Sequence, residues 1–265
     1  MTDRAYLDET ASVPNSYIKR RDPAASGSIP DRLQMFPREV RFYREVAESI
    51  GVRVPACLLA ELHHDGSTYL ELEDLSDWRP GASPTAGAGV LRALHSRWQA
   101  RALEVWPWLP RADVSDLVED LYAAQWSGLR DRNDLAPAAR DLGDRLLGHV
   151  KAVGRDAEGA GPQTLVHGDA SSNNMRTATS GLVALLDWED FGMGTGVSDL
   201  AWFLVSSVEP RDWDAAIDAY GESAGLNRAL PEAVVQALLS LSFEEEGSDE
   251  ALGWIDRVTE AARRV

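Results

Sequence analysis

Cysteine is nearly absent: Cys57 is the only one in 265 residues. No disulfide can form within the chain, which fits a reducing compartment. The apolar stretch around Cys57 predicts a buried, inert thiol. Long apolar runs are also missing, and none approaches the roughly 20 residues that a membrane-spanning helix needs. The opening MTDRAYLDETASVP has neither the basic start nor the apolar centre of a secretory signal. The sequence therefore reads as cytoplasmic, with no membrane partner. Positive charge is scarce as well: 26 Lys and Arg face 43 Asp and Glu, a formal net charge of −17. Such a chain lacks the basic footprint that nucleic acid or anionic lipid requires. Its acidity serves solubility and would draw a cationic substrate. Lysine is the rarest base, with only Lys19 and Lys151, and Lys19 lies in a strand-like segment.

What is present is an ordinary globular composition, 44% hydrophobic and 26% charged, with ample length for a core. NSYIKRR at 15–21 reads as a short strand, and the Pro-, Ser- and Gly-rich stretch 22–37 as a loop. Helical spacing of Val40, Tyr43, Val46, Ala47 and Ile50 predicts a helix over 36–50. CLLAELHH and TYLELED, joined at Asp65-Gly66, read as a hairpin. Beyond Leu75 the character changes. A loop, SDWRPGASP, leads to helices over 84–101, 113–131 and 135–153. Short strands enter His167-Gly168-Asp169 and flank the Ser180-Gly181 turn, and 192–196 reads as a loop. Helices near 197–207, 211–224, 231–246 and 248–264 close the chain. The expected class is α+β in two lobes, a small strand-rich lobe over 1–75 and a large helical lobe over 76–265.

The segment LVHGDASSNNMRTATSGLVALLDWEDFG carries the chemistry. Asp169 and Asn174 share one loop between strands, and Asp187 closes the next strand. Phosphoryl transfer to a hydroxyl uses such groups: a carboxylate to orient the hydroxyl and accept its proton, and an amide oxygen with a second carboxylate to hold Mg²⁺ on nucleotide phosphates. An isolated Asp or Asn is more often a turn residue; the ordered set is what points to chemistry.

The spacing resembles the kinase catalytic loop, in which Asn follows Asp by five residues. With His-Gly-Asp, then Asp-Trp-Glu, then Val-Ser-Asp199-Leu-Ala-Trp-Phe-Leu, the chain resembles the aminoglycoside phosphotransferase and choline kinase-like family of the protein kinase-like superfamily. REVRFYREVA, LELEDL, LHSRW and WPWLP look most like its ecdysteroid-kinase-like branch and bacterial relatives. The resemblance implies a bilobal kinase-like fold with ATP and Mg²⁺ as cofactors. Asp169 would be the catalytic base, and Asn174 and Asp187 would hold the metal. Lys19 would contact the α- and β-phosphates, with Glu39 holding it. Backbone groups of Glu73 and Leu75 would bind adenine at a hinge. Asp199 would brace the catalytic loop, and His167 would fix it through a backbone hydrogen bond. Trp188, Trp202 and the other tryptophans read as core, and the acidic run at 244–250 as a solvated helix face.

The family normally opens with two strands around a glycine-containing loop. Only eighteen residues precede Lys19, and none is glycine, so the resemblance implies a reduced first lobe. Three functions fit: a phosphotransferase acting on a small-molecule hydroxyl such as an antibiotic or natural product, a Ser/Thr kinase of a precursor peptide whose protein partner completes the first lobe, and a nucleotide-binding pseudokinase scaffold.

Overall fold

The computed structural model describes residues 16–265. The part of the expected opening segment before Ser16 lies outside them. Strand β1 (Ser16–Arg21) is followed by the short helix α1 (Ile29–Arg32) and by α2 (Met35–Glu45). The hairpin β2 (Cys57–Leu62) and β3 (Thr68–Glu73) completes an antiparallel sheet of order β1-β3-β2. On β3 burial alternates, with Thr68, Leu70 and Leu72 inside. That period-two face packs on α2. Helix α2 supplies the matching apolar stripe, Val40, Phe42 and Tyr43, with Glu39 buried among them.

A two-residue strand, β4 (Arg79–Pro80), lies inside the stretch expected to be a loop, and pairs with β6 described below. The second part of the chain then builds α3 (Pro84–Trp98), α4 (Ala102–Val105), α5 (Ser115–Arg130), α6 (Pro137–Leu146) and α7 (Val150–Glu158). Ser83 caps α3 by accepting from the Ala86 N–H at 3.3 Å, with Pro84 in the first turn. The single helix expected over 135–153 is two helices. The backbone turns extended at Leu147, because α6 packs on α11 (Asp249–Arg264) while α7 packs on α10 (Leu226–Leu241).

Strand β5 (Gln163–Val166) leads into the catalytic-loop sequence. One 3₁₀ turn at Ser172–Asn174 precedes the hairpin β6 (Met175–Thr177) and β7 (Val183–Leu185). The stretch 192–196, expected to be a loop, contains strand β8 (Gly192–Thr195), antiparallel to β5. Glycine masks it in the sequence. A Cβ on Gly194 would sit 3.0 Å from Val166 Cγ2, so a side chain there would press Val166 aside by a few tenths of an ångström. Then come α8 (Gly196–Ser207), α9 (Trp213–Tyr220), α10 and α11. Helix α10 starts at Leu226 rather than 231 and tolerates Pro231 inside it. It ends at Leu241, so Glu244–Glu246 lies in the connection to α11, not on a helix.

One contiguous hydrophobic core runs from Val40 through α3, α8 and α10 to Ala261. Phe42 of α2 stacks on Trp188 at 4.2 Å and 9°, and both are fully buried. The Leu185 N–H donates to the Arg53 carbonyl at 2.9 Å. These two contacts fasten the strand-rich part to the segment around Asp187. Cys57 departs from expectation. It lies on β2, an edge strand, and is exposed; apolar neighbours in sequence do not bury a residue whose strand has solvent on one side.

Candidate active site

The site forms where β5, the β6–β7 hairpin and α8 converge. Gly168 stands at φ +88, with the Asp190 carbonyl occupying the place a Cβ would need. Only glycine fits both conditions. Asp199, nearly fully buried on the first turn of α8, accepts from the backbone N–H of His167 at 2.6 Å and of Gly168 at 2.9 Å. Its Oδ2 also bonds His95 Nε2 at 3.0 Å, and His95 Nδ1 meets the Tyr220 hydroxyl at 2.9 Å. Burial works against the charged Asp199 carboxylate, but the His95 and His167 contacts outweigh it and hold the group below its ordinary range. His167 donates from Nε2 to the Leu186 carbonyl at 2.8 Å, which leaves Nδ1 to accept from the Asp169 N–H at 3.3 Å.

These bonds set the backbone on which Asp169 sits. Its Oδ2 accepts from Asn174 Nδ2 at 2.8 Å, and the same amide reaches the Asp169 carbonyl at 3.0 Å. The donor end of Asn174 is thus committed and its oxygen is left over. Asp169 Oδ1 accepts from Trp202 Nε1 at 2.6 Å. Arg111 caps the neighbouring segment, donating to the Asp190 carboxylate at 2.7 Å and carbonyl at 2.9 Å. Burial pushes the Asp190 carboxyl up, against the pull of Arg111.

Asp187 follows β7 in the left-handed region, at φ 59 and ψ 70. A non-glycine residue there is uncommon, and such strain gathers at functional sites. The Asn174 carbonyl accepts from the Leu186 N–H at 2.8 Å, so Asn174 and Asp187 lie at the same end of the hairpin. Lys19 meets Asp187 at 2.6 Å, Glu39 at 2.7 Å and Glu189 at 3.0 Å. Burial would lower the Lys19 ammonium, but Glu39 and Asp187 hold it above its ordinary value. Burial also pushes the Glu39 carboxyl up to about 7, against the pull of Lys19. Oxygens of Glu39, Asp187 and Glu189 lie within 4.8 Å of one another. An all-oxygen set of this kind suits Mg²⁺ in its donor chemistry, although here the Lys19 ammonium bridges all three carboxylates.

At the expected hinge the backbone is partly committed. The Glu73 N–H donates to the Ala56 carbonyl at 2.8 Å, and the Glu73 carboxylate is forked by Arg53 at 2.5 and 2.6 Å. The Leu75 carbonyl accepts from the Trp78 N–H at 3.0 Å, while the Leu75 N–H has no partner among the described residues. Two contacts of the site residues, Glu189 and Trp202, escape a reading of the sequence, as does the exposed Tyr17 on the strand of Lys19. Glu189 shows a weak signal, standing two residues after Asp187. Tyr17 pairs with Leu72 on the same strand face as Lys19 and is 55% exposed; period-two spacing from Lys19 could have found it. Trp202 reads as core and does pack against it, but its indole N–H also donates to Asp169.

The sequence profile of the phosphotransferase enzyme family matches residues 2–234. No curated protein matches the chain. Among solved structures, aminoglycoside phosphotransferase APH(3'')-Id from Streptomyces rimosus, in complex with ADP and streptomycin, is 16% identical. It covers 85% of this chain and 87% of its own, with a TM-score of 0.56. A microcompartment-associated aminopropanol kinase is 16% identical over 93% of this chain and 83% of its own, with a TM-score of 0.55. Choline kinase LicA from Streptococcus pneumoniae is 13% identical over 94% and 85%, with a TM-score of 0.51. At such identities the likeness is one of fold, α+β and kinase-like, as the sequence implied. Among the described residues no helix is long and apolar enough to cross a membrane. The profile match over most of the chain decides the rest: this protein belongs to the phosphotransferase enzyme family, as a kinase-type enzyme acting on hydroxyl groups.

Proposed function

We propose that the chain transfers the γ-phosphoryl group of ATP to a hydroxyl of a small molecule such as an antibiotic or natural product, with Mg²⁺ on the nucleotide. The observation that carries this is the placement of Asp169. Its carboxylate is fixed by one donor on each oxygen, and further lone pairs remain for an acceptor hydroxyl. As the nucleophile attacks, Asp169 orients that hydroxyl and takes its proton. Asn174 and Asp187 are the residues that would hold Mg²⁺, with Glu189 beside them; the ion would neutralise charge on the transferring phosphoryl.

Lys19 is the cation that Glu39, Asp187 and Glu189 share, with Arg21 also on Glu189 at 3.3 Å, and in this arrangement it sits directly on Asp187. With nucleotide bound it would turn to the α- and β-phosphates, with Glu39 holding its stem end in place. The Leu75 N–H and the hinge backbone at Glu73 would receive the base, and the exposed face of Tyr17 would lie against it. Most of this machinery serves positioning and charge, which is where phosphoryl transfer draws its acceleration.

The test is ATP-dependent phosphorylation of a pooled library of hydroxyl compounds, read by mass spectrometry, with Asp169→Asn alongside. Transfer should occur with wild type and slow by on the order of 10²–10⁴ in the variant, while nucleotide affinity stays close to wild type. Equal turnover in both proteins would remove Asp169 from the mechanism.

A further inference from the structure

The catalytic-loop backbone and the Asp169 side chain are fixed from one helix. On α8, Asp199 and Trp202 are three residues apart and so share a face. Asp199 receives the His167 and Gly168 N–H groups. Trp202 donates its indole N–H to Asp169 Oδ1 at 2.6 Å. The other carboxylate oxygen is held from the opposite side by Asn174. A donor on each oxygen removes the freedom of the carboxylate to rotate about its terminal torsion, which is otherwise broad.

We infer that Trp202 is a positioning residue for the phosphoryl-transfer step, acting through Asp169. The inference rests on the reading of Asp169 as the base. The choice of donor matters chemically. A lysine or arginine at this point would bring a full positive charge within contact of the base and oppose its taking a proton. A neutral indole supplies direction at much lower electrostatic cost. The 2.6 Å separation is short for N–H to carboxylate and marks a charge-assisted bond. The ring itself is held. It is half-buried against the core and stacks on Trp254 of α11 at 6.0 Å and 29°. Arg257 in turn covers Trp254 at 4.9 Å and donates to the Val205 carbonyl at 2.8 Å. The indole therefore cannot swing away without disturbing the packing of α8 on α11, and its N–H stays aimed at the base.

A ring that only filled space would tolerate loss of its N–H; a positioning donor would not. The experiment uses the whole chain and Mg²⁺–ATP, with water as the phosphoryl acceptor. Trp202→Phe keeps an aromatic ring and deletes the donor. Turnover should fall about tenfold or more, since small misplacements of a reacting group cost up to about 10²-fold, while KM for ATP stays within about twofold. Site-specific replacement of the Trp202 indole by its benzothiophene analogue, which exchanges N–H for sulfur at nearly constant shape, should reproduce the loss. Wild-type turnover in the benzothiophene protein would overturn the inference. Asp169→Asn, run in parallel, separates the two readings. If that variant is inactive and Trp202→Phe is not, only the role of Trp202 fails; if Asp169→Asn turns over normally, the assignment of the base fails first.

A second readout needs no turnover and serves if Trp202→Phe does not fold. Among the nine indole N–H resonances, that of Trp202 should lie at low field and move upfield in Asp169→Ala. A spectrum in which no indole resonance moves in that variant would show that the bond is not made in solution, and the proposal would be withdrawn.

Discussion

Replacing Asp199 by Asn tests the clamp beneath the catalytic loop at almost constant volume. In wild type one buried carboxylate receives three donors: the His167 and Gly168 backbone N–H groups and His95 Nε2. An Asn side chain presents one oxygen and one NH₂. Whichever way it is turned, a donor faces a donor, and at least one buried N–H loses its partner. Stripping one side from a buried charged network costs about 3–5 kcal/mol, and an unsatisfied buried backbone group alone costs about 1–3 kcal/mol. For a chain this long, about 3–5 kcal/mol is a fall in melting temperature of roughly 6–20 °C. The acid limb carries a second signature. The folded-state pKa of Asp199 is held down, so its contribution is present above the ordinary carboxylate range near pH 4. It is lost as pH falls through the folded value. The wild-type advantage over Asp199→Asn should thus be constant at neutral pH and shrink only in strong acid. Thermal and urea unfolding between pH 7 and pH 3 make the measurement. An Asn variant within 1 °C of wild type at pH 7 would show that the three donors are satisfied elsewhere, and the clamp would have to be abandoned.

Asp187→Ala should abolish Mg²⁺-dependent nucleotide binding by calorimetry, whereas Asn174→Ala should weaken it less, since an amide oxygen brings no net charge; unchanged binding in Asp187→Ala would place the metal elsewhere. Lys19→Ala leaves Glu39, Asp187 and Glu189 without their shared cation, so nucleotide affinity should drop sharply. The same variant should gain stability as pH is lowered from about 8 towards 5, because native Glu39, whose carboxyl burial already pushes up to about 7, then takes a proton more readily than unfolded Glu near 4.3. A flat pH profile for Lys19→Ala would contradict the burial of Glu39.

The segments that were legible in sequence are those whose signal is local. The hairpins at Gly66 and Gly181, and the order His-Gly-Asp, Asn174, Asp187, needed no tertiary information. Helix α2 also announced itself, although it ends at Glu45 rather than 50. Where partners decide the structure, local pattern misleads. Strand β8 exists because β5 pairs with it. The break between α6 and α7 exists because they pack on different helices. Trp202 looks like any other core tryptophan until its indole is seen on Asp169. Glu189 and Tyr17 gain meaning only beside Lys19, whose strand brings together residues about 170 positions apart.

The Phe42–Trp188 stack bears on how the cleft can open. Phe42 shares its helix with Glu39, and Trp188 directly follows Asp187, so the stack ties the residue that holds Lys19 to the proposed metal ligand. Removing a buried aromatic of this kind costs about 3–5 kcal/mol, more than the thermal energy available to a frequent fluctuation. Helix α2 and the Asp187 segment must therefore travel as a single body during turnover. Any opening that admits nucleotide or releases product has to bend elsewhere than between α2 and the Asp187 segment.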